Sequence, residues 1–348
     1  MTEYGHEQVV FCYDEYTGLK AIIAIHNTYL GPALGGARMW NYTSDMEALN
    51  DVLRLSRGMT FKAAISGLNL GGGKAVIMGD AKKMKNEAFL RRFGKFVESL
   101  HGKYITAEDV NMKTIDMEYI SMETKHVTGL SQNKGGGGDP SPITAYTTYL
   151  GMKATAKKVF GNDNLSGKKI AVQGAGQVAS YLVDYLVKEN AQVTITDINT
   201  EKVAELTKKY KIQAVGQDKI YDVDMDIFAP CALGAVINDD TLPRLKCSII
   251  AGAANNQLKD EKKHGELCIK KGIAYAPDFL INAGGLINVY SELSGYNKEV
   301  VLASAQKVYD TTLEIFNKAA TENTTTQEAA MKIAMDRITN VGRLKLTY

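Results

Sequence analysis

The sequence predicts an α/β fold with two domains around a cleft. Its 348 residues correspond to about two domains, at ~150 residues for each. A segment rich in glycine and proline, QNKGGGGDPSP at 132–142, is the best candidate for a linker between them. After that segment, predicted helices alternate with short apolar strands, which is typical of a parallel sheet covered by helices on both faces.

The part of the chain before the linker begins with two predicted strands, in the apolar runs VVFCYD and AIIAIHN. Ser44 is placed to cap a helix that runs through residue 65. The segment LGGGKAVIMGD predicts a glycine loop that leads into a short buried strand. The spacing of Phe89, Phe93 and Phe96 predicts another helix, and YITAEDVNM predicts a strand that ends in a polar tip.

The part after the linker begins with a helix over about 143–160. Apolar strands are then predicted in KKIAVQG, QVTITD, DIFAP, SIIAG and IAYAP, with helices between them. The tail predicts helix, and Thr325 and Glu328 have the spacing of a capping box. We assign residues 136–325 to the second domain and residues 1–135 plus 326–348 to the first, because we expect the last helix to return to the first domain.

Composition excludes several classes of partner. The 41 basic and 39 acidic residues leave a net charge of +2, so no electrostatic footprint for nucleic acid or an anionic membrane is present. No apolar run approaches the ~18 residues of a membrane span, and the N-terminus lacks the pattern of a secretion signal. The four cysteines and five isolated histidines show no disulfide or metal-ligand spacing. We therefore expect a cytoplasmic protein with a small-molecule substrate, no metal, and no nucleic-acid or membrane partner.

The most informative segment, at 168–199, contains a G-x-G-x-x-A fingerprint between a predicted strand and a predicted helix. Gly174 permits the turn, Gly176 leaves room for a pyrophosphate, and Ala179 lets the helix pack closely on the strand. Asp197 ends the next strand, 23 residues after Gly174, where a carboxylate accepts both ribose hydroxyls. The fingerprint consists of Gly174, Ala175, Gly176, Gln177, Val178 and Ala179.

This context predicts a Rossmann-type dinucleotide-binding domain. No Arg or Lys stands among the three residues after Asp197, which favours NAD over NADP because a 2′-phosphate would meet a carboxylate. A methyltransferase can also use such a turn, so the reaction has to be inferred from other residues.

Two lysines of the first domain stand in unusual surroundings. Lys62 lies in a mostly apolar stretch, and Lys74 follows three glycines. Lysine rarely occupies such positions without a partner. From the residues alone two interpretations remain open: a functional pair, or a solvated helix residue and a turn cap.

Ordered blocks along almost the whole chain resemble the glutamate/leucine/phenylalanine/valine group of amino-acid dehydrogenases, and within it the members that act on leucine. They include GLKAIIAIHNTYLGPALGGARMW, GMTFKAAISGLNLGGGKAVI, YITAEDV, DPSPITAY, IAVQGAGQVA, APCALGA, IAGAANNQL and YAPDFLINAGGLINV. The resemblance implies an NAD-dependent oxidoreductase that reversibly deaminates an apolar branched-chain L-amino acid, leucine foremost, to the 2-oxo acid and ammonia. It also implies a homo-oligomer.

The resemblance assigns roles to residues of this sequence. Lys74 and Asp109 match the catalytic lysine and the carboxylate that exchanges a proton with the substrate amine. Lys62 matches the lysine that holds the substrate carboxylate. The other residues matched to the substrate are Leu34, Gly35, Gly36, Met59, Ala107, Thr128, Asn256, Leu286 and Val289. Besides the fingerprint and Asp197, the residues matched to the cofactor are Thr144, Ile198, Cys231, Ala232, Ala253, Asn255 and Asn282.

These residue types suit the chemistry. Removing hydride from the α-carbon of an amino acid leaves a positive imine, which water then attacks. Lys74 could take the proton of that water if burial and a second cation lower its pKa, and the cofactor accepts the hydride. Two substrate cues disagree, because Ala107 resembles a leucine-type pocket and Leu286 a phenylalanine-type pocket.

A phenylalanine dehydrogenase is therefore the alternative enzyme, and a dinucleotide-binding sensor is the alternative without catalysis. A sensor would have no need of Lys62, Lys74 and Asp109 together, which favours an enzyme. A 2-hydroxy-acid dehydrogenase would need a histidine near Arg or Asp, and no histidine stands in such a block.

Overall fold

A computed structural model describes residues 5–345 and divides the chain into two compact units. The first unit contains the chain up to Asp139, Asn288–Lys298, and the chain from Ala334 onward. The second contains Pro140–Ile287 and Glu299–Ile333. The predicted domains differ from these units in three ways. The predicted end of the first domain lies four residues earlier, and its C-terminal part was predicted to begin at residue 326 rather than at Ala334. The segment 288–298 was predicted to belong to the second domain. Residues 1–4 and 346–348 of the predicted first domain lie outside the described residues.

The assignment of 288–298 to the first unit has a physical basis. One carboxylate oxygen of Glu292 accepts the backbone N–H of Gly129 at 2.9 Å, and the other accepts that of Gly137 at 2.9 Å. A Cβ on Gly137 would lie 2.5 Å from the side chain of Asn288 and 2.6 Å from the ring of Tyr296. The glycine-rich segment is therefore packed against 288–298 rather than free, which the sequence pattern did not indicate.

The first unit is built on a mixed six-stranded sheet with β5 at its centre. Its order is β1-β2-β5-β3-β6, with β4 also paired to β5; β1 and β2 are antiparallel to their neighbours, and the other pairs are parallel. The strands are β1 (Gln8–Asp14), β2 (Leu19–Asn27), β3 (Ala33–Leu34), β4 (Ala37–Trp40), β5 (Gly71–Met78) and β6 (Tyr104–Ile105). The helices before the junction are α1 (Asp45–Ile65), α2 (Ala81–Met84), α3 (Glu87–Glu98) and α4 (Thr114–Ser121).

The local predictions for this unit hold in part. The side chain of Ser44 accepts the backbone N–H of Glu47 and caps α1, as expected. The predicted glycine loop before Lys74 is wrong, because Gly71–Gly73 are themselves residues of β5. A Cβ on Gly72 would lie 2.1 Å from the Thr60 hydroxyl, so the strand needs glycine to pass close to α1.

The predicted strand at YITAEDVNM is shorter than expected, since β6 has only two residues. Beyond it the chain pairs through single bridges, Thr106 with Val127 and Glu108 with Ala37. This extended segment leads directly to Asp109.

The second unit has a parallel sheet in the order β12-β11-β10-β7-β8-β9. This is the 3-2-1-4-5-6 order of a doubly wound Rossmann sheet, whose order reverses beside β7. Its strands are β7 (Lys169–Gln173), β8 (Gln192–Thr196), β9 (Gln213–Ala214), β10 (Ile227–Pro230), β11 (Ile249–Ile250) and β12 (Ala274–Tyr275). Its helices are α5 (Ser141–Phe160), α6 (Gln177–Lys188), α7 (Thr200–Tyr210), α8 (Glu261–Lys270), α9 (Asp278–Ile281) and, shared with the first unit, α10 (Gly284–Glu292) and α11 (Lys298–Glu322).

The last helix, α12 (Thr326–Lys345), follows a break in the predicted helical tail. At that break Thr325 and Glu328 form the predicted capping box: the Thr325 hydroxyl accepts the Glu328 N–H at 3.1 Å, and the Glu328 carboxylate accepts the Thr325 N–H at 3.2 Å. In the described part of the chain, no helix combines the length and the apolar character needed to cross a membrane.

Candidate active site

The central strand of the first unit carries Lys74 into a buried position. Its side chain is only 7% exposed, and its Nζ lies 2.7 Å from Oδ2 of Asp109. The pairing of β4 with β5 and the hydrogen bond from the Ala37 N–H to the Ala107 carbonyl bring the segment that ends in Asp109 beside β5. The structure therefore brings the two predicted catalytic residues into direct contact.

Three further residues belong to this site and were not predicted. The Nε of Arg38, on β4, donates to Oδ2 of Asp109 at 3.0 Å, and its Nη1 donates to Asp51 of α1 at 3.3 Å. The hydroxyl of Tyr42 donates to the same Asp51 oxygen at 2.8 Å. We refer to Lys74, Asp109, Arg38, Asp51 and Tyr42 as the Lys74 cluster. The only cue in the sequence was an arginine two residues after the paired glycines of GGARMW.

Burial lowers the pKa of Lys74 below that of an ordinary lysine; the charge of Arg38 acts in the same direction, and Asp109 opposes both. Burial alone would raise the pKa of Asp109, but Lys74 and Arg38 outweigh it and hold that pKa below its usual range. The arrangement favours a charged Asp109 and allows Lys74 to lose its proton at a lower pH than a solvated lysine. Both pKa shifts have the direction that a base and a proton-exchanging carboxylate require.

The paired glycines matched to the substrate lie against protein backbone. A Cβ on Gly35 would lie 1.8 Å from the Gly73 carbonyl oxygen, and one on Gly36 would lie 2.3 Å from the Glu108 oxygen. The Met59 side chain is also close, 3.3 Å from the Gly35 Cβ position. Close packing of the chain thus accounts for both glycines, and a role in substrate approach stays a prediction.

The remaining residues matched to the substrate are divided between the units. Lys62 lies half-buried in the last turn of α1, the helix that passes over β5 at Gly72. The first unit also contains four small or apolar residues of this set. Leu34, Ala107 and Thr128 are buried, and Val289 is half-buried. Asn256 and Leu286 belong to the second unit.

The fingerprint of the second unit forms a tight turn from β7 into α6. Gly174 has φ +120°, and a Cβ there would lie 2.9 Å from the Cys231 carbonyl carbon, so both the conformation and the space require glycine. A Cβ on Gly176 would meet nothing within 4 Å. Ala179 is fully buried, as close packing of helix and strand demands.

Gly176 is the N-cap of α6 and offers no side chain to its first-turn N–H groups. These uncapped N–H groups, together with the empty space around the Gly176 Cβ position, fit a diphosphate. Gln177 and Val178 begin α6 at this end.

Asp197 braces the same turn. Its Oδ2 accepts the Ala175 N–H at 2.6 Å, and its Oδ1 accepts the Asn199 N–H at 2.7 Å. Each carboxylate oxygen has a second lone pair, so this bracing is compatible with the predicted binding of ribose. Ile198, the next residue, is 80% exposed.

Most of the other residues matched to the cofactor lie in the loops that follow β10 and β11. The Ala253 N–H donates to the Cys231 sulfur at 3.5 Å, and the Asn282 side chain donates to the Ala253 carbonyl at 3.1 Å and to Asn255 at 2.7 Å. Ala232 lies beside Gly174, and Thr144 lies 3.3 Å from the Gly285 Cβ position. Burial raises the pKa of the Cys231 thiol to about 12, which keeps it protonated and unsuited to act as a nucleophile.

Comparisons with known proteins agree with this geometry. Residues 6–126 match the family described as Glu/Leu/Phe/Val dehydrogenase, dimerisation domain, and residues 194–344 match Glutamate/Leucine/Phenylalanine/Valine dehydrogenase. Residues 154–229 also match shikimate/quinate 5-dehydrogenase.

Individual relatives match along nearly their whole length. Leucine dehydrogenases of Thermoactinomyces intermedius and Geobacillus stearothermophilus are each 53% identical over all of this chain and 95% of their own. The crystal structure of L-tryptophan dehydrogenase from Nostoc punctiforme superposes with a TM-score of 0.87 at 45% identity, covering 98% of both chains.

Proposed function

Because the chain belongs to the glutamate/leucine/phenylalanine/valine dehydrogenase family, we propose that it deaminates branched-chain L-amino acids, leucine foremost, with NAD. The reaction yields the 2-oxo acid and ammonia, and it is reversible. The observation that carries this proposal is the buried contact of Lys74 with Asp109. Its choice of leucine is supported by the 53% identity to leucine dehydrogenases.

Each of the three polar residues of the first unit has a part in the proposed reaction. Bound nicotinamide supplies the hydride acceptor. Lys62 holds the substrate carboxylate, while Asp109 exchanges a proton with the amino group. Neutral Lys74 removes a proton from the water that adds to the imine carbon, and the carbon–nitrogen bond then breaks to release ammonia.

The proposed cofactor is NAD rather than NADP. Its support is the carboxylate of Asp197 at the end of β8, followed by Ile198, Asn199 and Thr200 without a cation. A 2′-phosphate would meet that carboxylate, whereas the two hydroxyls of an unmodified ribose would donate to it.

We also propose a cytoplasmic homo-oligomer. The matched description of residues 6–126 as a dimerisation domain supports self-association, and so does the position of β1 at a sheet edge with Phe11 65% exposed. Four free cysteines support a reducing compartment. Light scattering coupled to size-exclusion chromatography measures the mass, and a monomer at micromolar concentration would overturn the proposed assembly.

The experiment that tests the function is a steady-state panel of L-amino acids with NAD and with NADP. Leucine should give the highest kcat/KM, phenylalanine should rank below the branched-chain substrates, and NAD should be preferred. Glutamate should be rejected, since its charge would be left without a partner among apolar side chains. A higher kcat/KM for phenylalanine than for leucine, valine and isoleucine would make the phenylalanine enzyme the better description, and absence of all turnover would favour the sensor.

A further inference from the structure

We propose that Arg38, anchored by Asp51, is a positioning residue that holds Asp109 with Oδ2 against Lys74 and leaves Oδ1 to exchange the proton with the substrate amine. This inference rests on the proposed function and adds to it a residue and an atom that the matched family roles do not include. All five members of the Lys74 cluster lie in the first unit.

The guanidinium of Arg38 joins two carboxylates that come from distant parts of the chain. Its Nε reaches Asp109, 71 residues away, at 3.0 Å, and its Nη1 reaches Asp51 at 3.3 Å. Because the guanidinium donors are fixed in one plane, the bond to Asp51 orients that plane and so sets the direction from which Nε reaches Asp109. Asp51 is itself fixed by Tyr42 at 2.8 Å and by Arg54 at 3.1 Å.

Lys74 and Arg38 both bind the same oxygen of Asp109. The two contacts, 2.7 Å from Lys74 and 3.0 Å from Arg38, end on Oδ2. Among the residues that the structure describes, none donates to Oδ1 of Asp109, and the side chain is 22% exposed. Oδ1 is thus the oxygen that can take a proton from, or give one to, an amine outside the protein.

Arg38 also reduces how strongly Asp109 stabilises the protonated form of Lys74, because both cations bind the same carboxylate. Without Arg38, Asp109 and Lys74 would form an ordinary ion pair, which stabilises the protonated lysine. With Arg38 present, Lys74 faces both a carboxylate and a second positive charge, and its pKa lies lower.

The charged and titratable groups around Lys74 come from several elements. They are Arg38 on β4, Tyr42 after it, Asp51 on α1, Asp109 beyond β6, and Tyr104 on β6, whose ring lies against the Gly73 position. On the β2 side the residue opposite Lys74 is Ala24, which does not titrate.

The test compares the pH dependence of leucine deamination in Arg38→Gln and Asp51→Asn. Arg38→Gln removes the charge that lowers the pKa of Lys74. The rising limb of the kcat profile, which follows the loss of the Lys74 proton, should therefore move to higher pH. Asp51→Asn keeps an oxygen that accepts from Arg38 but removes a charge that raises this pKa, so the limb should move to lower pH. We expect Arg38→Gln to lose about 10²-fold in kcat at pH 8, the scale of a misplaced catalytic group.

Two further variants separate charge, geometry and general structural damage. Arg38→Lys should keep the limb near its wild-type position but regain only part of the rate, since an ammonium is not a planar fork. Arg244→Gln is the matched control, because Arg244 joins Asp218 and Asp222 by contacts of 2.7 Å in the second unit. Its limb and rate should equal those of the wild type.

Limbs that stay in place, or that move in the same direction in Arg38→Gln and Asp51→Asn, would overturn the inference. A readout independent of turnover is the pH dependence of acetic anhydride labelling at Lys74, followed by mass spectrometry, which should show the same opposite shifts. If the wild-type protein turned over no amino acid, the proposed function would fail. Opposite labelling shifts would then still support the arrangement of Arg38, whereas unchanged labelling would contradict it.

Discussion

At the scale of single residues, the pKa of Lys74 is set by effects that oppose each other. It lies on the central strand with 7% of its side chain exposed, and it contacts a carboxylate at 2.7 Å. Burial and Arg38 lower its pKa despite that carboxylate, so the neutral amine forms at a pH below that of an ordinary lysine. Deamination should therefore increase as pH rises through the pKa of Lys74, because only the neutral form accepts a proton.

Lys74→Ala tests this role directly. Loss of a general base reduces turnover by about 10²–10⁴-fold, so the deamination kcat should fall within that range while the Kd for NADH, measured by fluorescence titration, stays near that of the wild type. The variant should also lose the alkaline rise in rate. If it kept more than about a third of the wild-type kcat, the loss would be under ~1 kcal/mol and Lys74 would have a structural role only.

Asp197 has two tasks that two substitutions separate. Asp197→Ala should weaken the preference for NAD over NADP more than it lowers kcat at saturating cofactor. Asp197→Asn retains an acceptor for the Ala175 N–H but not the charge, so it should relax the preference in the same way with a smaller loss of Tm. Equal kcat/KM for NAD and NADP in the wild-type protein would contradict the assigned role.

At the scale of elements, β5 depends on glycines that allow its neighbours to approach. The Cβ of Gly72→Ala would lie 2.2 Å from the Thr60 backbone nitrogen and 2.5 Å from the Ser56 carbonyl oxygen. Backbone atoms cannot turn away as a side chain does, so the change should lower the free energy of unfolding by about 3 kcal/mol.

The matched control for this prediction is Gly58→Ala on α1, where a Cβ meets nothing within 4 Å. It should raise the Tm slightly, since alanine favours a helix interior by about 1 kcal/mol over glycine. Thermal unfolding followed by circular dichroism measures both variants. A Gly72→Ala protein as stable as Gly58→Ala would show that β5 and α1 do not approach each other this closely at Gly72.

Elements defined by local sequence could be predicted, whereas those defined by distant contacts could not. The turn at Gly174 and Gly176 depends on its own backbone and on the helix N-terminus that follows it. Its six-residue fingerprint was therefore sufficient to predict it from the sequence. The close packing of β5 at Gly72 and Gly73 is against Thr60 and Tyr104, which lie outside the segment itself. Lys74 and Asp109 were predicted from the family resemblance. Arg38 and Asp51 were not predicted, because their contacts depend on how β4 and α1 pack together in the fold.

At the scale of the whole molecule, the chain leaves the first unit at Asp139 and returns to it twice, at Asn288–Lys298 and from Ala334 onward. The second return is fixed by Arg337 on α12. Its guanidinium donates to the backbone carbonyls of Leu68 at 2.7 Å and Gly67 at 3.2 Å, and to the Asn69 side chain at 2.9 Å. These acceptors lie in the turn that connects α1 to β5, so the C-terminal helix supports the strand that carries Lys74.

Arg337→Met should therefore destabilise the protein. The effect reaches the strand that carries Lys74, even though residue 337 is distant from Lys74 in sequence. Hydrogen bonds from a charged donor contribute about 1.5–3 kcal/mol, and the variant leaves several carbonyls without their donor, so we expect about 2 kcal/mol less stability and a lower Tm. Lys332→Met on the same helix removes an ion pair with Glu322 whose lysine is 54% exposed, which should change stability by at most ~0.5 kcal/mol. Equal Tm values for the two variants would mean that the return of α12 to the first unit does not depend on Arg337.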